Sequence, residues 1–181
     1  MTLNYTKSIK CLILLTLFAQ FILIDGAYAA DKAAVQKPNL SNAVTQAMVG
    51  KGALACASRI NQVANFLGAG STSAGAFLFV PTGDVDKQVV STSMEITGAD
   101  KKTSYSSATF APNQANGCGA LYEAVAWWPE SCDKVAEKQF SKKATTKLKQ
   151  NIGILDIGPT IRVFLMPTND GCISIKKELV Q

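Results

Sequence analysis

The sequence predicts an α+β domain: a largely antiparallel sheet with an N-terminal helix and one central helix packed on it, stabilised by disulfides. Three observations predict it. Apolar residues at helical spacing are confined to two segments, short strand-like runs bounded by turn residues fill the rest, and four cysteines follow an export-type leader.

The leader comes first in the chain. Lys7 and Lys10 precede an apolar run from Cys11 to Ile24, which is followed by Asp25-Gly26 and Ala27-Tyr28-Ala29. A basic start, an apolar centre and a small-x-small exit form a secretory signal, with cleavage expected after Ala29 and Ala30 as the next choice. The apolar run is shorter than the roughly 20 residues that span a bilayer. Residues 1–29 are therefore read as a cleavable signal peptide, 30–39 as a flexible leader carrying Pro38, and 40–181 as a single α+β domain. The expected location is the periplasm or the exterior, with no integral membrane span in the mature form.

From Leu40 to Leu67 the pattern is helical, with Ile60, Val63, Ala64 and Leu67 on one stripe. Gly50 and Gly52 break it into a short helix and a better one from Ala53. Gly68 is the expected stop, in a left-handed cap. Gly68-Ala69-Gly70-Ser71-Thr72-Ser73 reads as a linker. It follows a helix and precedes a strand, the reverse of a phosphate-cradling loop, and carries no lysine.

Strands are expected at Ala76–Val80, Lys87–Ile96 and Thr103–Phe110, separated by Pro81-Thr82-Gly83-Asp84 and Thr97-Gly98-Ala99-Asp100, as an antiparallel meander. After a polar loop, Ala120–Trp128 fits either a helix, which would group Leu121, Val125 and Trp128, or a strand. Strand is preferred because Pro129-Glu130-Ser131 follows and starts a helix. Leu121, Glu123, Val125 and Trp127 share one face, and Tyr122 and Trp128 the other. Pro129-Glu130-Ser131 ends it, and Ser131 is expected to cap a helix in which Ala136, Phe140, Ala144 and Leu148 share a face. Ile152–Ile157, Ile161–Met166 and Cys172–Leu179 complete the chain as strands, the last two joined by Thr168-Asn169-Asp170-Gly171, residues that accept a positive φ. No internal repeat is visible.

Cys56, Cys118, Cys132 and Cys172 follow the signal, and an even count in an exported chain reads as disulfides. Of the three possible connectivities, Cys118–Cys132 with Cys56–Cys172 is preferred, because the first closes a short loop. The spacings lack the close pairs of zinc sites, and the sequence has no histidine. That absence also removes Ser-His-Asp and Cys-His catalysis. No cofactor is implied.

The net charge of +5 is too modest for a dedicated nucleic-acid binder. Two features suggest contact surfaces. Lys134, Lys138, Lys142, Lys143 and Lys147, with Lys149, form a basic stripe suited to an acidic partner. No aromatic residues interleave with them for base stacking, so nucleic acid is not expected. Tyr122, Trp127 and Trp128 are the second feature, since exposed tryptophan concentrates in interfaces. The expectation is a non-enzymatic exported protein binding a protein or envelope polymer in an inhibitory, protective or accessory role. The alternative is a hydrolase of envelope polymers working through Glu123, near Glu130. Asp84 and Asp86 in one turn fall short of a calcium loop.

Overall fold

The computed structural model describes residues 40–181, Thr145 excepted. The signal peptide, its cleavage site and the leader lie outside the described residues. Among those described are three α-helices and eight strands. The order is α1 (Leu40–Gly50), α2 (Ala57–Gly68), β1 (Ser71–Phe79), β2 (Val90–Gly98), β3 (Thr103–Asn113), β4 (Gly117–Trp128), α3 (Cys132–Phe140), β5 (Thr146–Lys147), β6 (Gly153–Gly158), β7 (Ile161–Thr168) and β8 (Gly171–Val180). The strands form one sheet in the order β1-β2-β3-β4-β8-β7-β6-β5. Every pairing in it is antiparallel. No described helix is long and apolar enough to cross a membrane.

The helices take the sheet face formed by even-numbered residues of β1–β4 and β8. Under α1 and α2, Met48, Ile60, Val63 and Leu67 meet Val90, Met94, Phe110 and Tyr122. Phe110 is fully buried, and shielding a ring of that size contributes about 2–3 kcal/mol. Under α3, Val135 and Ala136 meet Leu155, Val163, Leu165 and Cys172, with Trp128 at the edge.

Several expectations are corrected. The linker is not one: Ser71–Ser73 already pair within β1 against β2. Gly70, not Gly68, takes the left-handed conformation (φ 73°), which turns the chain from α2 into that strand. The β7–β8 turn uses no positive φ among its residues. Ser131 occupies the cap position of α3, but its hydroxyl makes no capping bond; its carbonyl accepts from the Val135 N–H. The helix also stops early. Ser141 turns left-handed (φ 51°), and its N–H and that of Lys142 bond back to Glu137 and Ala136. The sequence then supplies β-branched Thr145 and Thr146, poor helix formers, and Ala144 and Leu148 lie outside the helix.

The cysteine connectivity differs most. Cys56 bonds Cys118 and Cys132 bonds Cys172. Cys118 opens β4, and Cys132 lies past its far end. The extended chain between them covers on the order of 30 Å, so a short bridge is impossible.

The same connectivity exposes a repeat that the residues conceal. Each half ends in a helix followed by a four-stranded antiparallel meander, α2 with β1–β4 and α3 with β5–β8, with its fourth strand at the sheet centre; α1 has no counterpart among the described residues of the second half. In each, a cysteine at the helix start bonds the second residue of that fourth strand, after a glycine: Gly117-Cys118 and Gly171-Cys172. Topology and crosslink repeat while side-chain identity does not, which is why no repeat shows in the sequence.

Candidate interface on the open sheet face

The alternation expected for residues 120–128 places the key side chains. β4 pairs with β3 and β8, so its even residues face the helices and its odd residues face away. On the open side, directly paired residues line up in rows across the strands. Tyr105, Val125, Ile175, Phe164 and Ile154 form one continuous apolar row over β3, β4, β8, β7 and β6. Trp127, Ile173 and Met166 form a shorter row beside it. Trp127 is 50% exposed and Tyr105 46%; Val125, Ile175, Phe164 and Ile154 are half-buried. The residues that α1, α2 and α3 bury all lie on the opposite face.

On the other flank of the long row runs a polar one: Ser107, Glu123, Lys177, Arg162 and Asp156. Lys177 Nζ lies 3.2 Å from the Glu123 carboxylate, Ser107 Oγ donates to Glu123 at 3.0 Å, and Arg162 pairs with Asp156 at 3.1 Å. Glu123 is thus held by a lysine and a serine rather than set opposite a second carboxylate.

Tyr122 and Trp128 point to the helix side, apart from Trp127. Trp128 is half-buried and its indole N–H donates to Ser174 Oγ at 2.8 Å; the outward tryptophan is Trp127. Tyr122 is buried, and its hydroxyl donates to Glu178 and accepts from Lys176 Nζ, the latter at 2.7 Å. Lys176 also lies 3.1 Å from Glu178 and 4.8 Å from the ring centre of Phe66. Burial pushes the Tyr122 phenol well above its ordinary value, and the neighbouring Glu178 adds to the rise. Partial burial would raise Glu178. Hydrogen bonds from Tyr122 and Lys176, with the lysine's charge, outweigh it and hold the carboxyl below its usual range.

The lysines do not form one helical stripe. Lys134 and Lys138 sit on α3, Lys142 and Lys143 follow its end, and Lys147 lies in the two-residue β5. All five are exposed. Lys138 pairs with Glu130, and Lys143 approaches Glu137 at 3.9 Å. A cavity of about 620 Å³ near the start of α3 gathers Glu130, Asp133, Lys147 and Asp170 on its lining. Glu130 is engaged by Lys138, and Asp170 accepts from Thr168 at 3.2 Å. Asp84 pairs with Lys87 at 2.9 Å within its own turn, and Asp86 accepts the N–H of Ala55, tying that turn to the segment before α2.

The sequence divides Trp127 and Trp128 between two faces without showing which face is open, and it does not point to Ile154, Phe164, Met166, Ile173 and Ile175. The alternation in β7 and β8 was visible. In β8 it points the wrong way, because apolar Ile173, Ile175 and Leu179 face away from the helices while Ser174, Lys176 and Glu178 lie on the helix side; in β7 both sets carry apolar residues. Lys176 and Glu178 were missed as well, since their partner Tyr122 lies on a strand far away in sequence.

These features define a class: an α+β domain with an eight-stranded antiparallel sheet covered by helices on one face and stapled by two disulfides. Comparison with protein-family models, with curated proteins and with solved structures finds no match.

Proposed function

We propose that this is an exported, non-enzymatic protein of the periplasm or cell envelope that binds a macromolecular partner in an inhibitory, protective or accessory role. Its contact surface is the open face of the sheet. One observation supports this above the others: two adjoining apolar rows, led by Trp127, on a face that no described helix covers. A stable interface buries about 800 Å² per partner, and its binding energy concentrates at aromatic anchors such as Trp. The Ser107-to-Asp156 row supplies a charged border that sets register rather than affinity. The two disulfides suit an oxidising compartment.

The test is site-specific photo-crosslinking in cells. A crosslinking side chain at Ile173 or Phe164 is expected to capture one discrete partner, and Trp127→Ala is expected to abolish that adduct. Adducts arising only from Lys134 or Lys142 would move the surface to the lysines, and charge reversal at Lys138, Lys142 and Lys147 would then remove them. Equal adducts from every position would sink the proposal.

A further inference from the structure

The two edges of the sheet are built differently. One edge ends in β5, two residues long, with Lys147 in it and Lys142, Lys143 and Lys149 on either side. Short strands and lysines are devices that stop a sheet edge from pairing with another chain. The opposite edge is β1, nine residues long and, among the described residues, paired on one side only. It has none of these devices. From Ile60 to Gly83 the sequence carries no charged residue, and β1 contains no proline. Alternate backbone N–H and C=O groups of such a strand point outward, without a strand partner among the described residues.

We propose that β1 is a pairing edge for a second copy of this chain, joined antiparallel about a twofold axis at Ala76. The choice of occupant comes from the size pattern of the strand. A twofold axis perpendicular to the sheet keeps the two faces distinct and centres the pairing on a residue. Centred on Ala76, it sets Phe77 opposite Gly75, Leu78 opposite Ala74, and Phe79 opposite Ser73. Each large side chain meets a small one. The space beside Gly75 is open, with nothing within 4 Å of where a Cβ would stand, so a phenyl ring from the facing strand fits there. Phe77 and Phe79 are 66% and 53% exposed and lie edge to face, 5.0 Å apart. Together they offer a preformed aromatic pair. Large aromatics packing over glycine are a favourable cross-strand arrangement. An uncharged edge gives a foreign charged segment nothing to recognise, and gives a second copy nothing to repel. The pairing also continues the antiparallel order present throughout the sheet.

The experiment uses the protein purified as the cell makes it, with light scattering to read its mass. The expected result is a dimer at about 100 µM, within the range where edge pairing between proteins is observed. Phe77→Lys should shift it to monomer with an unchanged far-ultraviolet spectrum, because the two lysines lie diagonally across the axis. Mixing Phe77→Lys with Phe77→Asp should restore the dimer. In an otherwise unchanged chain, Ala76→Cys should give a covalent dimer on mild oxidation, and Ser73→Cys should not. That pair of variants decides the matter even if the lysine variant folds poorly. A monomeric parent protein overturns the proposal, its edge being covered by other residues of the chain or left for another protein's strand. A dimer that persists in a folded Phe77→Lys variant, with no Ala76→Cys crosslink, overturns it equally.

Discussion

Glu123 and Lys177 face each other on the central strand pair of the sheet, 3.2 Å apart, and each lies the same number of residues past its half's strand-opening cysteine. The point between them is therefore the centre about which the two halves of the fold are related. The two positions are structurally equivalent yet carry opposite charges, so a repeated backbone closes on a favourable pair instead of a like-charge clash. Both side chains remain partly exposed, which limits what the pair contributes. A double-mutant cycle with Glu123→Gln and Lys177→Met, followed by urea unfolding, should return a coupling of about 0.5–1 kcal/mol. A coupling of zero would show that the contact is incidental.

The disulfides are expected to contribute much more. Cys56–Cys118 and Cys132–Cys172 have sequence separations of 62 and 40, and loop-closure entropy assigns each roughly 4 kcal/mol. Calorimetry on Cys132→Ser/Cys172→Ser should show a large fall in Tm. Non-reducing peptide mapping should recover Cys56 linked to Cys118; a Cys118–Cys132 peptide would contradict the fold.

Trp127 and Trp128 should separate cleanly. Trp127 is half exposed on the open face, so Trp127→Ala should change stability by less than about 1 kcal/mol. Trp128 packs on the α3 core and bonds Ser174, so Trp128→Ala should cost about 3 kcal/mol. Urea midpoints of the two variants check this, and equal losses would mean that the faces are misassigned.

Stability should depend on pH through the Tyr122–Lys176–Glu178 group. Glu178 is held below its unfolded value of about 4.3. Its contribution is therefore complete above that pH and is lost as pH falls through the lower folded value. Tyr122 is the opposite case, raised above its unfolded value of about 10. Its contribution is complete below that pH and is lost as pH rises through the folded value. Glu178→Gln should flatten the acid side of a stability–pH curve, and Tyr122→Phe the alkaline side.

Thr92 is buried in the first core, and its hydroxyl has no hydrogen-bond partner among the described residues. A buried unpaired hydroxyl costs about 1–3 kcal/mol. Thr92→Val keeps the shape and removes that cost, so thermal unfolding should rise by a few degrees. An unchanged or lower Tm would indicate that the hydroxyl is solvated.

The elements that were legible in the sequence are those whose signals are local. The apolar stripe Ile60–Val63–Ala64–Leu67 named α2, and all four residues are buried. The alternation from Leu121 to Trp128 named β4 and divided its side chains between the two faces. The turn clusters around Gly83, Gly98 and Gly158 separated the strands. Where local signals conflicted, the reading slipped. A four-residue apolar spacing ran on from Ala136 to Leu148, but the chain had to leave α3 early to lay β5 at the far edge. The strand expected at Ala76–Val80 is present as the end of β1, where Leu78 packs towards the helices while Phe77 and Phe79 lie on the other face with both rings exposed.

The antiparallel, β-rich character of the chain, the two-sided strand at Leu121–Trp128 and four cysteines suited to crosslinking are legible in the residue order, because periodicity and turn chemistry act between near neighbours. Which cysteines meet, which sheet face the helices cover and which edge is left unguarded emerge only in the folded chain. Those depend on strand order, with β4 meeting β8 across a long separation, and no short-range preference encodes that choice.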